Sequence, residues 1–283
     1  MIDRASSPPP RPRPRQDAGS RLVTGRDREL LAFVAEHRIV LAAHAQALLG
    51  VSESVAYRRL SGLTARGLLK HTRVLHEQPG WYQATRRGLA MIGSDLPTPS
   101  IDLRCYRHNI GAAWLWLAAT RGAFGPVERV VSEREMRSGD AARAAAERMA
   151  AARGDPATGT GAAPYGVRLG GVGPGGRTRL HYPDLLLLVG ARQERVAIEL
   201  ELSFKGRRRL DTILAGYAAE PSIAAVLYLA EKPAIRREIE SSAARLRISD
   251  LVRVHRFRST PAAHPADAPQ RARGAATLEV LAR

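Results

Sequence analysis

Acidic residues bracket an apolar run in the C-terminal half of this chain. His181-Tyr182-Pro183-Asp184 precedes the run, and Ile198-Glu199-Leu200-Glu201-Leu202-Ser203-Phe204-Lys205 follows it. A Pro-Asp ahead of one strand and an acidic pair on the next could assemble a phosphodiester-cutting metal centre. Carboxylate oxygens are hard ligands suited to Mg²⁺, and a bound ion would polarise a phosphate and activate a water. Asp184 opens an apolar stretch, where an isolated carboxylate costs several kcal/mol unless it is paired or metal-bound. Asp184 with Glu199 or Glu201 is therefore the candidate ligand set, and Mg²⁺ is the implied cofactor if the centre is active.

Strand geometry sets how these groups can meet. Side chains alternate faces along a strand, so Ile198, Leu200, Leu202 and Phe204 share one face, and Glu199, Glu201, Ser203 and Lys205 share the other. A solvated face would alternate in the same way. At about 3.3 Å per residue, Lys205 lies roughly 20 Å along the strand from Glu199 but only about 13 Å from Glu201. A chain that bends near Ser203 closes the second gap and hardly the first. An active centre would thus combine Asp184 and Glu201 with Lys205, with Glu199 as an extra acid and Glu133 or Glu135 as a further one from upstream. The competing account of Lys205 is a side chain capping the turn before Arg207.

The elements that must carry these residues read as an α/β unit. Strands are expected over residues 179–189 and 195–204, a helix over 207–219, a strand over 223–229, a helix over 234–246 and a strand over 252–257. Two strands ahead of a helical crossover make a mixed sheet with helices packed on it. Upstream, a helix over residues 102–120 places Tyr106, Ile110, Ala113, Trp114 and Leu117 on one side, as a bridge between domains or a dimer contact. His108 on that helix reads as a packed or hydrogen-bonded histidine. A strand is expected over residues 127–137, an alanine-rich helix over 141–153, and a glycine-rich insertion with little capacity to pack over 154–176.

The N-terminal half has a different pattern. Residues 1–23, with alternating Pro and Arg, read as a disordered basic arm, since proline removes donors and fixes φ. From Thr24 and Asp27 onward, Leu30, Leu31, Val34 and Ala35 recur at helical spacing. A short helix over residues 41–49 ends at Gly50, and Ser52 opens a third with Val55, Leu60 and Leu63 inward. Two strands joined near Gln78-Pro79-Gly80 follow, then a helix capped by Thr85. This order, through residue 96, is that of a winged helix-turn-helix, whose third helix enters the major groove. Ser54, Tyr57 and Arg58 are the candidate base readers, with Arg59, Arg66 and Lys70 on phosphates, because arginine presents paired donors to guanine or phosphate. A winged helix used for protein contact is the alternative.

Composition agrees with a polyanionic partner. The 283 residues carry 44 Lys and Arg against 27 Asp and Glu, a formal net charge of +17. Lys70, Lys205 and Lys232 are the only lysines, so arginine preference is in part a codon effect, but the excess of positive charge is not. Cys105 is the only cysteine, which excludes a disulfide framework and a cysteine zinc site. Apolar stretches are far shorter than the roughly 20 residues that span a bilayer, and no signal-peptide core opens the chain. A cytoplasmic, membrane-free protein is expected, with residues 259–283 as a disordered tail.

Pro183-Asp184 with an acid on the following strand resembles the PD-(D/E)xK nuclease superfamily over residues 97–258. The lysine departs from that pattern: Glu201 or Ser203 occupies its place. The winged-helix pattern, the His108 helix, Ser132-Glu133-Arg134-Glu135, Pro183-Asp184, Glu199-Leu200-Glu201 and the Tyr217 helix together are similar to the replication-relaxation family of plasmids and integrated mobile elements. That resemblance implies a DNA-binding role in replication, relaxation or mobilisation alongside plasmid replication or mobilisation proteins. An active Mg²⁺-dependent endonuclease and a winged-helix repressor with a dimerising or ligand-sensing C-terminal domain are the competing functions.

Overall fold

The computed structural model describes residues 23–154, 163–176 and 178–257. The expected basic arm through residue 22, the tail from residue 258, and residues 155–162 of the glycine-rich insertion lie outside the described residues. The fold is mixed α/β, with eight α-helices and three sheets among the described residues.

The N-terminal half begins with α1 (Gly25–Glu36), α2 (Ala42–Leu49) and α3 (Glu53–Ala65). Thr24 and Asp27 form a reciprocal capping box at the start of α1, each side chain accepting from the other's backbone amide. Gly50 ends α2 at φ 61°, a left-handed conformation in which glycine carries no steric cost, and so turns the chain into α3. Strands β1 (Leu69–Thr72) and β2 (Trp81–Ala84) pair antiparallel, and Val40 bridges to Tyr82 from the α1–α2 connection. Thr85 caps α4 (Arg86–Met91) by accepting from the Gly88 amide. The inward positions of α3 are Ala56, Leu60 and Leu63, at a spacing of four and then three; Val55 is only half-buried.

His37 and His44 are buried in this half, His37 against the rings of Phe33 and Trp116. Burial pushes both pKa values from 6.5 down to about 3, with His44 and Arg134 adding to the effect on His37. The unfolded chain protonates these rings below about pH 6.5 while the folded chain resists, so stability is complete above that pH and declines as pH falls toward 3. Urea unfolding at successively lower pH should show this decline. A flat profile between about pH 7 and pH 4 would contradict neutral burial of the pair.

A short 3₁₀ turn (Leu103–Cys105) leads into α5 (Tyr106–Thr120), which is buried on two sides. Ala113 and Leu117 join the core of the N-terminal helices, while Leu115 and Ala119 pack on the sheet that follows. Of the two roles expected for this helix, the bridging one is what these contacts describe. Gly111 permits the close approach, since a Cβ there would lie 2.5 Å from Leu200 Cδ2.

Two expectations need correction in the segment that follows. The strand anticipated over residues 127–137 is β3 (Arg129–Ser132); it stops at Ser132, whose hydroxyl accepts from the Glu135 amide and starts α6 (Glu133–Arg153). Part of the glycine-rich segment packs after all: β4 (Val167–Val172) pairs with β5 (Thr178–His181), and Val167 is fully buried. Buried Asp140 anchors the entry to this hairpin by accepting from the Tyr165 and Gly166 amides.

The main sheet joins β3 to β6 (Leu185–Val189), β7 (Glu194–Glu201), β8 (Ile223–Ala230) and β9 (Val252–Arg256), in the order β3-β6-β7-β8-β9. β3, β6 and β7 pair antiparallel, whereas β7, β8 and β9 run parallel. The parallel steps are joined by α7 (Arg207–Ala218) and α8 (Pro233–Arg245). Alternate residues of β6 face opposite layers: Leu185 and Leu187 meet α5, and Leu186 and Leu188 meet the α7 side. Burial on both faces explains why this strand reads as an unbroken leucine run.

Candidate functional site

The pairing register carries the acids to one end of the sheet. Leu185 faces Ile198 and the Asp184 amide bonds the Ile198 carbonyl at 3.0 Å, so Asp184 arrives beside Glu199 at the mouth of the β6–β7 pair. Parallel pairing of Glu199 with Tyr228 and of Glu201 with Ala230 then sets both glutamates on the α7–α8 face. Glu199 and Glu201 are 2% and 5% exposed, too buried for a solvated face. β7 ends at Glu201, the chain bends at Ser203, and Lys205 returns to form an ion pair with Glu201. Phe204, expected on the apolar face, is turned out and mostly exposed.

Each carboxylate has its own partners. Asp184 Oδ1 lies 2.8 Å from His108 Nε2, and Oδ2 accepts from the Leu200 amide at 2.7 Å. Glu199 Oε1 lies 2.5 Å from His181 Nε2 and also accepts from the Tyr217 hydroxyl. The electrostatics follow these contacts. The Asp184 charge raises the His108 pKa to about 9 against the effect of burial. Burial opposes the charge on Glu199, but His181, Lys205 and the Tyr217 hydroxyl outweigh it and hold the carboxyl at about 2. Burial pushes Glu201 up despite Lys205. Lys205 itself is raised, since Glu199 and Glu201 overcome its own desolvation. The hydroxyls of Tyr217 and Tyr228 are driven well above their ordinary range by burial and by Glu199.

Asp184, Glu199, Glu201 and Lys205 therefore meet in one cluster, joined by His108, His181, Tyr217 and Tyr228. Glu133 and Glu135 do not supply the further acid: Glu133 pairs with Arg38 and Arg137, and Glu135 with Arg129. The roles of His181 and Tyr228 were not legible as chemistry, although a tyrosine inside the apolar β8 run signals a hydroxyl in need of a partner.

The oxygen donors have the chemistry Mg²⁺ takes, but their arrangement does not fit a resident ion. Asp184 divides its oxygens between His108 and a backbone amide, Glu199 is held by two proton donors, and Glu201 is ion-paired to Lys205. Among the described residues no three His, Cys, Asp or Glu side chains gather as a metal-holding group.

The second set of residues lies on and after α3. Ser54, Tyr57 and Arg58 share its exposed side, and Lys70 is exposed on β1. Arg59 points elsewhere: its guanidinium meets Asp27 at 3.0 Å and ties α3 to the start of α1. Arg66 is half-buried at the C-terminal end of α3. No helix of the described residues is long and apolar enough to cross a membrane.

No family model matches the chain, and no characterised protein matches it. Solved structures with some likeness include a cysteine-to-serine mutant of Lactococcus lactis ZitR, at 16% identity over 36% of this chain and 64% of that one, TM-score 0.24. RV1404 from Mycobacterium tuberculosis shares 17% identity over 50% of this chain and 81% of its own, TM-score 0.24. PigF with SAH shares 16% identity over 87% of this chain and 63% of its own, TM-score 0.19. Likenesses this remote carry no functional inference.

Proposed function

We propose that this chain is a DNA-binding protein of a plasmid or integrated mobile element, serving its replication, relaxation or mobilisation. The N-terminal half acts as a winged helix-turn-helix on duplex DNA, and the C-terminal half is a nuclease-like domain. The observation that carries the reading is the outer face of α3. A tyrosine 44% exposed stands there beside Arg58 and Ser54 on a helix whose opposite face is locked into the core. Leaving an aromatic ring in water gains nothing for folding, whereas aromatic and arginine side chains are the anchors of binding surfaces. The order of three helices and an antiparallel hairpin supports major-groove docking of α3, and the charge of +17 supplies the attraction for phosphates. The mobile-element role comes from the resemblance to the replication-relaxation family.

The C-terminal centre is read as an acid cluster neutralised from within. Supercoiled plasmid incubated with the protein in Mg²⁺ or Mn²⁺ is therefore expected to stay uncut. Nicking that disappears in both Asp184→Ala and Glu201→Ala would instead establish an endonuclease. The DNA-binding reading is tested by retention of duplex DNA across a salt titration. Affinity should fall steeply and linearly on logarithmic axes as counterion release weakens, and a protein that retains no DNA even at low salt would refute it. Footprinting confined to an operator upstream of its own gene would favour a repressor.

A further inference from the structure

Between the two halves lies a second polar feature that the acid cluster does not explain. The end of α1, the first turns of α5, the β3–α6 junction and the start of β6 enclose a cleft of about 30 Å³. That is space for about two water-sized groups and for no sugar or base. Three of its lining side chains, His37, Asn109 and Arg134, are 5%, 9% and 6% exposed. Their His37 Nε2, Asn109 Nδ2 and Arg134 Nε atoms are buried and have no hydrogen-bond partner. Buried polar groups are almost always satisfied, so three orphans around one space call for an occupant.

The chemistry of that occupant follows from what is left over. The carboxylates at the cleft are already engaged: Glu36 accepts from Ser132, Glu133 from Arg38 and Arg137, and Asp184 from His108 and the Leu200 amide. The Asn109 amide and the Arg134 Nε can only donate. Arg134 is a buried guanidinium whose recorded bond goes to the Pro97 carbonyl rather than to a carboxylate. A group that only accepts, carries a small negative charge and is compact enough to enter would satisfy these donors.

We propose that this interdomain cleft receives the non-bridging oxygens of one phosphodiester of the DNA backbone, held by Arg134 and Asn109 with His37 behind them. This deepens the DNA-binding reading and rests on it. The bound phosphate would lie beside Asp184 and His108, so that a strand engaged by α3 is also held against the nuclease-like sheet. The neighbouring carboxylates keep the affinity for a free phosphate weak, and the gain is realised only when α3 delivers the strand.

The test uses the full chain and dimethyl phosphate as the minimal phosphodiester, followed by the side-chain amide signals of Asn109 in a ¹H–¹⁵N spectrum. A saturable shift of those signals is expected with dimethyl phosphate and not with matched acetate. No saturable shift, or an equal response to acetate, would overturn the proposal. Asn109→Leu keeps the volume and removes the donors; it should bind duplex DNA about tenfold more weakly, the scale of one charge-assisted hydrogen bond. If that variant fails to fold, the wild-type titration still decides. Wild-type protein that retains duplex DNA but ignores dimethyl phosphate refutes the cleft alone, whereas a dimethyl phosphate response without duplex retention refutes the winged-helix reading alone.

Discussion

Glu199→Ala is expected to destabilise the protein by about 3–5 kcal/mol, the range seen when one member of a buried ion pair is removed. Glu199 is 2% exposed, and a single oxygen takes both the His181 ring and the Tyr217 hydroxyl. Truncation would strand both donors in a core lined by Leu210, Ile213 and Leu214 on the α7 side. Glu199→Gln should lose less, because the amide oxygen still accepts from Tyr217 while the charge facing His181 is gone. Urea unfolding of the three proteins measures this order. A loss below about 1 kcal/mol for the alanine variant would be the size of an ordinary surface contact and would contradict the cluster's structural role.

The second large effect is expected on α3. Tyr57→Ala and Arg58→Ala should each weaken duplex binding, with Arg58→Ala costing about 1–3 kcal/mol, or roughly 5- to 150-fold, if its guanidinium is bidentate to a base. Both side chains are exposed, so folding should be unaffected. Arg59→Ala behaves differently. Its guanidinium is committed to Asp27, so the substitution should lower stability through loss of the α1–α3 tie and alter DNA affinity little. Equal losses of affinity at Arg58 and Arg59 would mean that the observed ion pair opens to reach phosphate.

Much of this arrangement was legible in the chain because it rests on short-range periodicities. The alternation of Glu199, Glu201, Ser203 and Lys205 on β7 fixed a shared face, and strand rise demanded the bend at Ser203 that returns Lys205 to Glu201. The helical spacing in α3 separated Tyr57 and Arg58 from the buried Leu60 and Leu63. What could not be read depends on contacts distant in sequence. His108 reaches Asp184 across 76 residues, and Arg38 reaches Glu133 across 95. Nothing local in residues 154–176 announces that Val167 pairs with His181 and packs inside. Ser132 looked like strand because the preceding valines are β-formers, while its role as a helix cap depends on the amide of Glu135.

The central claim is that the outer face of α3 binds DNA, and the most direct measurement is duplex affinity across a salt series for wild type, Arg58→Ala and Arg237→Ala. Arg237 is an equally charged, exposed residue on α8 of the other half. The predicted result is a marked loss for Arg58→Ala, with Arg237→Ala close to wild type at every salt concentration. Identical titrations for all three proteins would contradict it.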